Sequence, residues 1–245
     1  MRIIPVLDIL NGQVVHGIKG ERNKYAPIQS KLTSSTNPLD VAFAFKSLFP
    51  IDELYIADLD AILHQNSTFP YLTKIIDHTK LSIMLDAGID EISVVQTLLQ
   101  KGVGKIIIGT ETLRSLSNLE AIITQISPQK LIASLDLKNG QILSKDSKLR
   151  KCSTLEAALL FEKFGIQELI ILELTKVGSE SGVMTPTLRK ILQKTSIPII
   201  SGGGARNIQD LKTLKGAGVS GVLIATALHK GTITTQDLSF IKKDA

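Results

Sequence analysis

The chain of 245 residues is 43% hydrophobic, and its 28 basic and 23 acidic side chains leave a net charge of +5. That apolar share supports a sizeable core, while the basic residues are scattered without interleaved aromatics, which argues against a nucleic-acid partner. A lone Cys152 excludes an internal disulfide and a multi-cysteine metal site, and no apolar run approaches the roughly 20 residues that span a bilayer.

The start, MRIIPVLD, lacks the long apolar stretch and cleavage site of a signal peptide, so a cytoplasmic protein with no membrane partner is expected. With no Trp and few aromatics, the core has to be built from Ile, Leu, Val and Ala. In chain order, Ile3–Leu7 is the first apolar run and reads as a strand. Pro38–Leu48 has helical period and follows Asn37, an N-cap with proline at the first helical position. Strands are expected at Glu53–Ala57 and Ser82–Leu85, a helix at Ile92–Lys101 before Gly102, and strands at Lys105–Ile108 and Leu131–Leu135. A helix at Thr154–Phe164 stops before Gly165, and a strand follows at Glu168–Leu172. The last elements are a strand at Pro198–Ile200, a helix at Ile208–Lys215 before Gly216, and a strand at Gly221–Ile224. The strands are apolar at consecutive positions, as in a parallel sheet buried on both faces.

Eight strands alternating with about eight helices in this length match a (β/α)8 TIM barrel; a doubly wound open sheet ranks second. The barrel reading gains from an internal repeat. IPVLDILNGQVV at residues 4–15 recurs as IASLDLKNGQIL at residues 132–143, with Asp8 matched by Asp136. Phe49, Ile51, Glu53, Leu54 and Ile56 recur as Phe164, Ile166, Glu168, Leu169 and Ile171, and Gly88, Ile92, Gly102 and Thr110 recur as Gly204, Ile208, Gly218 and Thr226. No Gly/Pro/Ser-rich linker separates the copies, so residues 1–245 are expected to form one domain of two half-barrels, about 1–125 and 126–245.

Barrel active sites lie at the C-terminal ends of the strands. Asp8 and Asp136 end the first and fifth strands, which stand opposite each other, so their carboxylates are expected to face across the mouth as an acid–base pair. The competing reading is that each caps its Asn-Gly turn; the matched settings favour catalysis. The run IISGGGARNI puts Gly202, Gly203 and Gly204 between a strand and a helix start, where backbone N–H groups converge on an anion. Ala225 and Thr226 follow the eighth strand, completing the usual barrel phosphate site. In the first half Gly109 and Thr110 survive, but the triplet reads Asp86-Ala87-Gly88. A carboxylate there disfavours a second phosphate, so Asp86 is expected to meet a hydroxyl or amine, or to cap a helix.

Asp58, Asp60 and Glu173 follow the second and sixth strands and either orient substrate or bind backbone. The loop Thr175–Met184 could close over the site, with Ser179 bonding substrate, and the segment Gly17–Asn37, with Lys19, Arg22, Lys24 and Lys31, is either a basic lid or a solvated loop. His16, His64, His78 and His229 lack metal-ligand spacing, so no metal is expected. Lys138 and Lys176, near strand ends, leave a Schiff-base aldolase open.

These motifs resemble the histidine-biosynthesis barrel family, over nearly the whole chain. Its members are the phosphoribosylformimino-aminoimidazole-carboxamide ribotide (ProFAR) isomerase and the cyclase subunit of imidazole glycerol phosphate synthase. The resemblance implies that Asp8 and Asp136 are the catalytic pair, Asp8 as base and Asp136 as acid, and that Gly202–Gly204 and Ala225-Thr226 hold a phosphate. Ser179, in Lys176-Val177-Gly178-Ser179, stands where the family has a substrate-binding Thr, and Val177 replaces that loop's Asp. The family's substrate carries a phosphate at each end, bound by a glycine triplet in each half, and the first triplet is altered here. The implied activity is an Amadori-type isomerisation of a small phosphorylated sugar or amino sugar, with no cofactor. Alternatives are the cyclase, which would need a glutaminase partner, a divergent paralogue acting on a smaller monophosphate outside histidine synthesis, and a non-catalytic phosphometabolite sensor.

Overall fold

The computed structural model describes residues 1–64, 70–179 and 182–243. Its strands are β1 (Arg2–Leu10), β2 (Gln13–His16), β3 (Ala26–Pro27), β4 (Glu53–Asp58), β5 (Ser82–Asp86), β6 (Lys105–Gly109), β7 (Leu131–Lys138), β8 (Gln141–Ile142), β9 (Leu169–Glu173), β10 (Ile199–Gly202) and β11 (Gly221–Ile224). The helices are α1 (Pro38–Leu48), α2 (Leu59–His64), α3 (Leu72–Thr79), α4 (Ile92–Gln100), α5 (Leu116–Gln125), α6 (Thr154–Lys163), α7 (Pro186–Lys194), α8 (Ile208–Gly216), α9 (Thr226–His229) and α10 (Thr235–Lys243). Parallel pairing runs β1-β4-β5-β6-β7-β9-β10-β11, and β11 pairs back onto β1 with Ile3 beside Val222. The eight strands therefore close into a (β/α)8 barrel, as expected from the alternating runs.

Closure splits the apolar residues into two layers, because side chains alternate across a strand. Ile4, Tyr55, Met84, Ile107, Ile132, Ile170, Ile200 and Leu223 fill the interior of the ring. Their neighbours, among them Ile3, Leu54, Ile83, Ile106, Leu131 and Leu169, point outward under the helices. Each such side chain, once buried, stabilises the fold by about 1.5–3 kcal/mol. The same alternation carries upward: two-residue steps from Ile4, Met84 and Ile132 lead to Asp8, Asp86 and Asp136 on the inner face. At the lower end Arg2 bonds Glu53 and Glu168, and Lys105 bonds Glu168 at 2.7 Å, closing the floor with an ion network.

The helices start where their caps dictate. Asn37 accepts from Leu39 N–H with Pro38 at the first position, and Ser153 with Glu156 forms a reciprocal capping box on α6. Gly102 and Gly165, both in the left-handed region, stop α4 and α6 as expected. The helix α8 departs from expectation: it runs through Gly216, and the left-handed residue after it is Gly218.

The first and fifth strands also run past their expected ends, because each folds back into an antiparallel hairpin, β1 with β2 and β7 with β8. The Asn-Gly pairs make this possible. Asn11 and Gly12, and likewise Asn139 and Gly140, take positive φ at both positions, as a two-residue hairpin turn requires.

Candidate active site

Asp8 and Asp136 lie inside the long strands rather than at their ends, Asp8 beside Ala57 of β4 and Asp136 beside Leu172 of β9. Neither caps its Asn-Gly turn. Asp60 does so for the first hairpin, accepting from Asn11 N–H at 2.8 Å, and Glu173 for the second, accepting from Asn139 and Gly140 N–H. Asp58 accepts from Ala61 N–H at the start of α2. The backbone-binding role therefore holds for these three acids, and Asp8 and Asp136 are left to face a cavity of about 480 Å³ in the barrel mouth.

A third carboxylate, Asp86, shares that cavity. Bare backbone makes room for all three. A Cβ on Gly109 would sit 3.0 Å from Asp136 Oδ2 and 3.9 Å from Asp86 Oδ2, and one on Gly17 would sit 2.7 Å from Asp8 Oδ2. Loss of hydration pushes Asp8 up to about 7, helped by the charge of Asp86 and opposed by Arg22. Asp136 also rises to about 7, from burial first and Asp86 second, although Glu111 N–H (3.2 Å) and the Ser134 hydroxyl (2.8 Å) both donate to it. Burial raises Asp86 to about 6, restrained by a 2.8 Å hydrogen bond from the Tyr55 hydroxyl. Among the described residues no donor meets the oxygens of Asp8. Two carboxylates that change charge near neutrality, on opposite strands of one cavity, have the properties of a general acid and a general base.

The other expected site residues divide. Gly203, Gly204, Ala225, Thr226 and Gly109 line the cavity. Gly203 and Gly204 take φ near +90°, and a Cβ on Gly204 would lie 2.6 Å from the Gly182 carbonyl oxygen. Gly202 is instead the last residue of β10, packed against Leu172 and Leu223. The start of α8 does not line the cavity, and its Gln209 and Asp210 N–H groups are taken by Asn207. Thr110 is fully buried and accepts from Asp136 N–H, so it fixes β7 from behind the site. Ser179 donates to the Lys176 carbonyl and stands outside the cavity lining, where Val177 and Gly178 take part. Glu180 and Ser181 of the same loop lie outside the described residues.

The segment after β2 folds over the mouth rather than into solvent. Lys19 N–H donates to the Val177 carbonyl, and Arg22 and Lys31 line the cavity, while Lys24 pairs with Glu21 at the surface. Lys138 is exposed and the Lys176 ammonium donates to the Gly182 carbonyl; neither lines the cavity, so neither is placed to form a Schiff base there.

Several lining residues carried no sequence signal of their own. Tyr55 donates to Asp86, Glu111 pairs with Arg22, Tyr25 is raised to about 12 by burial and the Asp8 charge, and His16 shares a 3.1 Å hydrogen bond with Thr226. His229 is pushed down to about 4 by burial and stays neutral beside Phe45. Inward alternation along β4 from the interior position would have placed Tyr55; Tyr25 and Glu111 arrive from loops, His16 from the end of β2 and His229 from α9.

The fold is a (β/α)8 barrel with paired aspartates over one cavity at its mouth and left-handed glycines after β10, the place where barrels of this class frequently bind phosphate. Residues 2–234 match the family described as "Histidine biosynthesis protein", and the chain belongs to that family. It is 31% identical over 242 residues to an uncharacterized protein of Methanocaldococcus jannaschii, covering 97% of each chain. It is 32% identical over 238 residues to a Methanosphaera stadtmanae protein, covering 97% of this chain and 98% of that one. That relative is named 1-(5-phosphoribosyl)-5-((5-phosphoribosylamino)methylideneamino) imidazole-4-carboxamide isomerase. A Bacillus cytotoxicus protein of the same name is 29% identical over 245 residues, covering 99% of each.

Proposed function

We propose that this protein is an isomerase of a phosphorylated amino sugar, like the ProFAR isomerases to which it is similar, working by an Amadori-type rearrangement with Asp8 and Asp136 as base and acid. The observation that carries the reading is that these two carboxylates stand on opposite strands of one cavity and both titrate near 7. Gly203, Gly204 and Thr226 hold the phosphate, which fixes the sugar between the aspartates. Protonated Asp136 gives its proton to the ring oxygen, the bond from that oxygen to C1 breaks, and the C1–nitrogen bond becomes an iminium. Ionised Asp8 then takes the proton from C2. The resulting enolamine collapses to the ketone at C2: Asp8, its proton exchangeable with solvent, protonates C1, and the C2 hydroxyl gives its proton to Asp136, which restores the acid. Asp8 suits the base role because its oxygens are open to substrate, and Asp136 suits the acid role because two donors hold it in place.

The test is to incubate the protein with N-(5-phosphoribosyl)amines in deuterated water and follow products by NMR. An aminoketose phosphate carrying deuterium at C1 is the expected product. Absence of any ketose, from singly or doubly phosphorylated ribosylamines alike, would reject the isomerase.

A further inference from the structure

The cavity is electrostatically lopsided. The residues that line it from the loops after β10 and β11, namely Gly203, Gly204, Ala205, Ala225 and Thr226, carry no carboxylate. The side formed by β5 and the loop after β6 carries Asp86 and Glu111. Gly88 is the repeat counterpart of Gly204 and also takes a positive φ. Its surroundings differ. Gly88 N–H is turned toward Asp86 Oδ1 at 3.4 Å, so the chain's own carboxylate occupies the place an anion would take. Gly88 does not line the cavity, whereas Gly203 and Gly204 do. Arg22, the cation nearest this end, is engaged by Glu111. Tyr55 holds the second oxygen of Asp86 and fixes the carboxylate in place.

We infer that the substrate is a phosphomonoester, with its phosphate at Gly203, Gly204 and Thr226, and that Asp86 selects a far end bearing hydrogen-bond donors, an amine or hydroxyls, and excludes a second phosphate. This rests on the phosphate and sugar placement proposed above and narrows its substrate class. Asp86 is ionised and acceptor-only above its titration near 6, so a dianionic group beside it is repelled while an ammonium or hydroxyl is held.

Binding, not turnover, tests the assignment. At pH 8, calorimetric titration with inorganic phosphate, ribulose 5-phosphate and ribulose 1,5-bisphosphate is expected to give one phosphate per chain and at least tenfold tighter binding of the monophosphate. In Asp86→Asn the preference should shrink by about tenfold or more, with the affinity for inorganic phosphate within twofold of the parent. Two phosphates per chain, no phosphate binding, a preference for the bisphosphate in the parent protein, or an unaltered preference in Asp86→Asn would each overturn the inference. The parent protein alone decides the matter should Asp86→Asn fail to fold. A protein that binds as expected yet isomerises nothing rejects the isomerase alone, and one that isomerises but favours the bisphosphate rejects this selection alone.

Discussion

At the scale of single residues, the site is made of groups held out of their ordinary protonation states. The Asp136 carboxyl keeps its proton to about pH 7, whereas in the unfolded chain it would lose it near 3.8. Between those values the folded protein binds more protons than the unfolded one, so stability falls as the pH rises through that window. Asp136→Asn removes this liability at nearly constant shape. Its melting temperature at pH 8 should exceed the parent's by a few degrees, from on the order of 1–2 kcal/mol. The difference should close at pH 4, where the parent carboxyl is neutral in the fold. A melting temperature below the parent's at both pH values would show that Asp136 is not under electrostatic tension.

At the scale of elements, backbone conformation divides glycines that shape the site from those that only turn the chain. Gly204 and Gly140 both have positive φ, at 87° and 75°. A Cβ on Gly204 collides with the Gly182 carbonyl, whereas one on Gly140 meets nothing within 4 Å. Gly140→Ala should therefore cost only the left-handed penalty, about 1–2 kcal/mol, and leave phosphate binding intact. Gly204→Ala should cost more in urea denaturation and weaken phosphate binding, since the loops after β9 and β10 must separate. Equal losses in the two variants would contradict this division. Much at this scale was legible. The bounds of α1 match expectation, because its cap and apolar period point to the same residues. The hairpins behind β1 and β7 extend beyond the expected strands, because the apolar runs stop at the aspartates while the Asn-Gly turns that close the hairpins come later. Likewise α8 runs through Gly216 rather than stopping before it, and the left-handed glycine that follows is Gly218.

At the scale of the whole molecule, the two ends of the barrel do different work. The mouth gathers carboxylates at a cost to stability; the floor pairs them. Glu168 bridges Arg2 and Lys105 there with its side chain only 13% exposed, and its loss leaves Lys105 without that partner and Arg2 with Glu53 alone. Glu168→Gln should lower stability by about 1–2 kcal/mol, read as a lower urea midpoint, with turnover unchanged. A large loss of turnover would show that the ends are coupled. Ring closure is also where sequence reading reaches its limit. The sequence repeat pointed to Asp8 and Asp136 as a facing pair and to Asp86 near the mouth; that all three share one inner face follows from the alternation along β1, β5 and β7. Neither repeat nor alternation placed Arg22, Tyr25 or Glu111, which reach the cavity from loops whose paths depend on contacts far apart in the chain.

The central claim is that Asp8 and Asp136 act together on one bound substrate. Single-turnover rates for Asp8→Asn, Asp136→Asn and the double variant, on an N-(5-phosphoribosyl)amine at pH 7, test it most directly. Each single variant should fall by about 10²–10⁴-fold and the double variant by little more than the worse single one, with phosphate affinity retained. Either single variant keeping a rate within threefold of the parent, while folded and binding phosphate, would contradict the account.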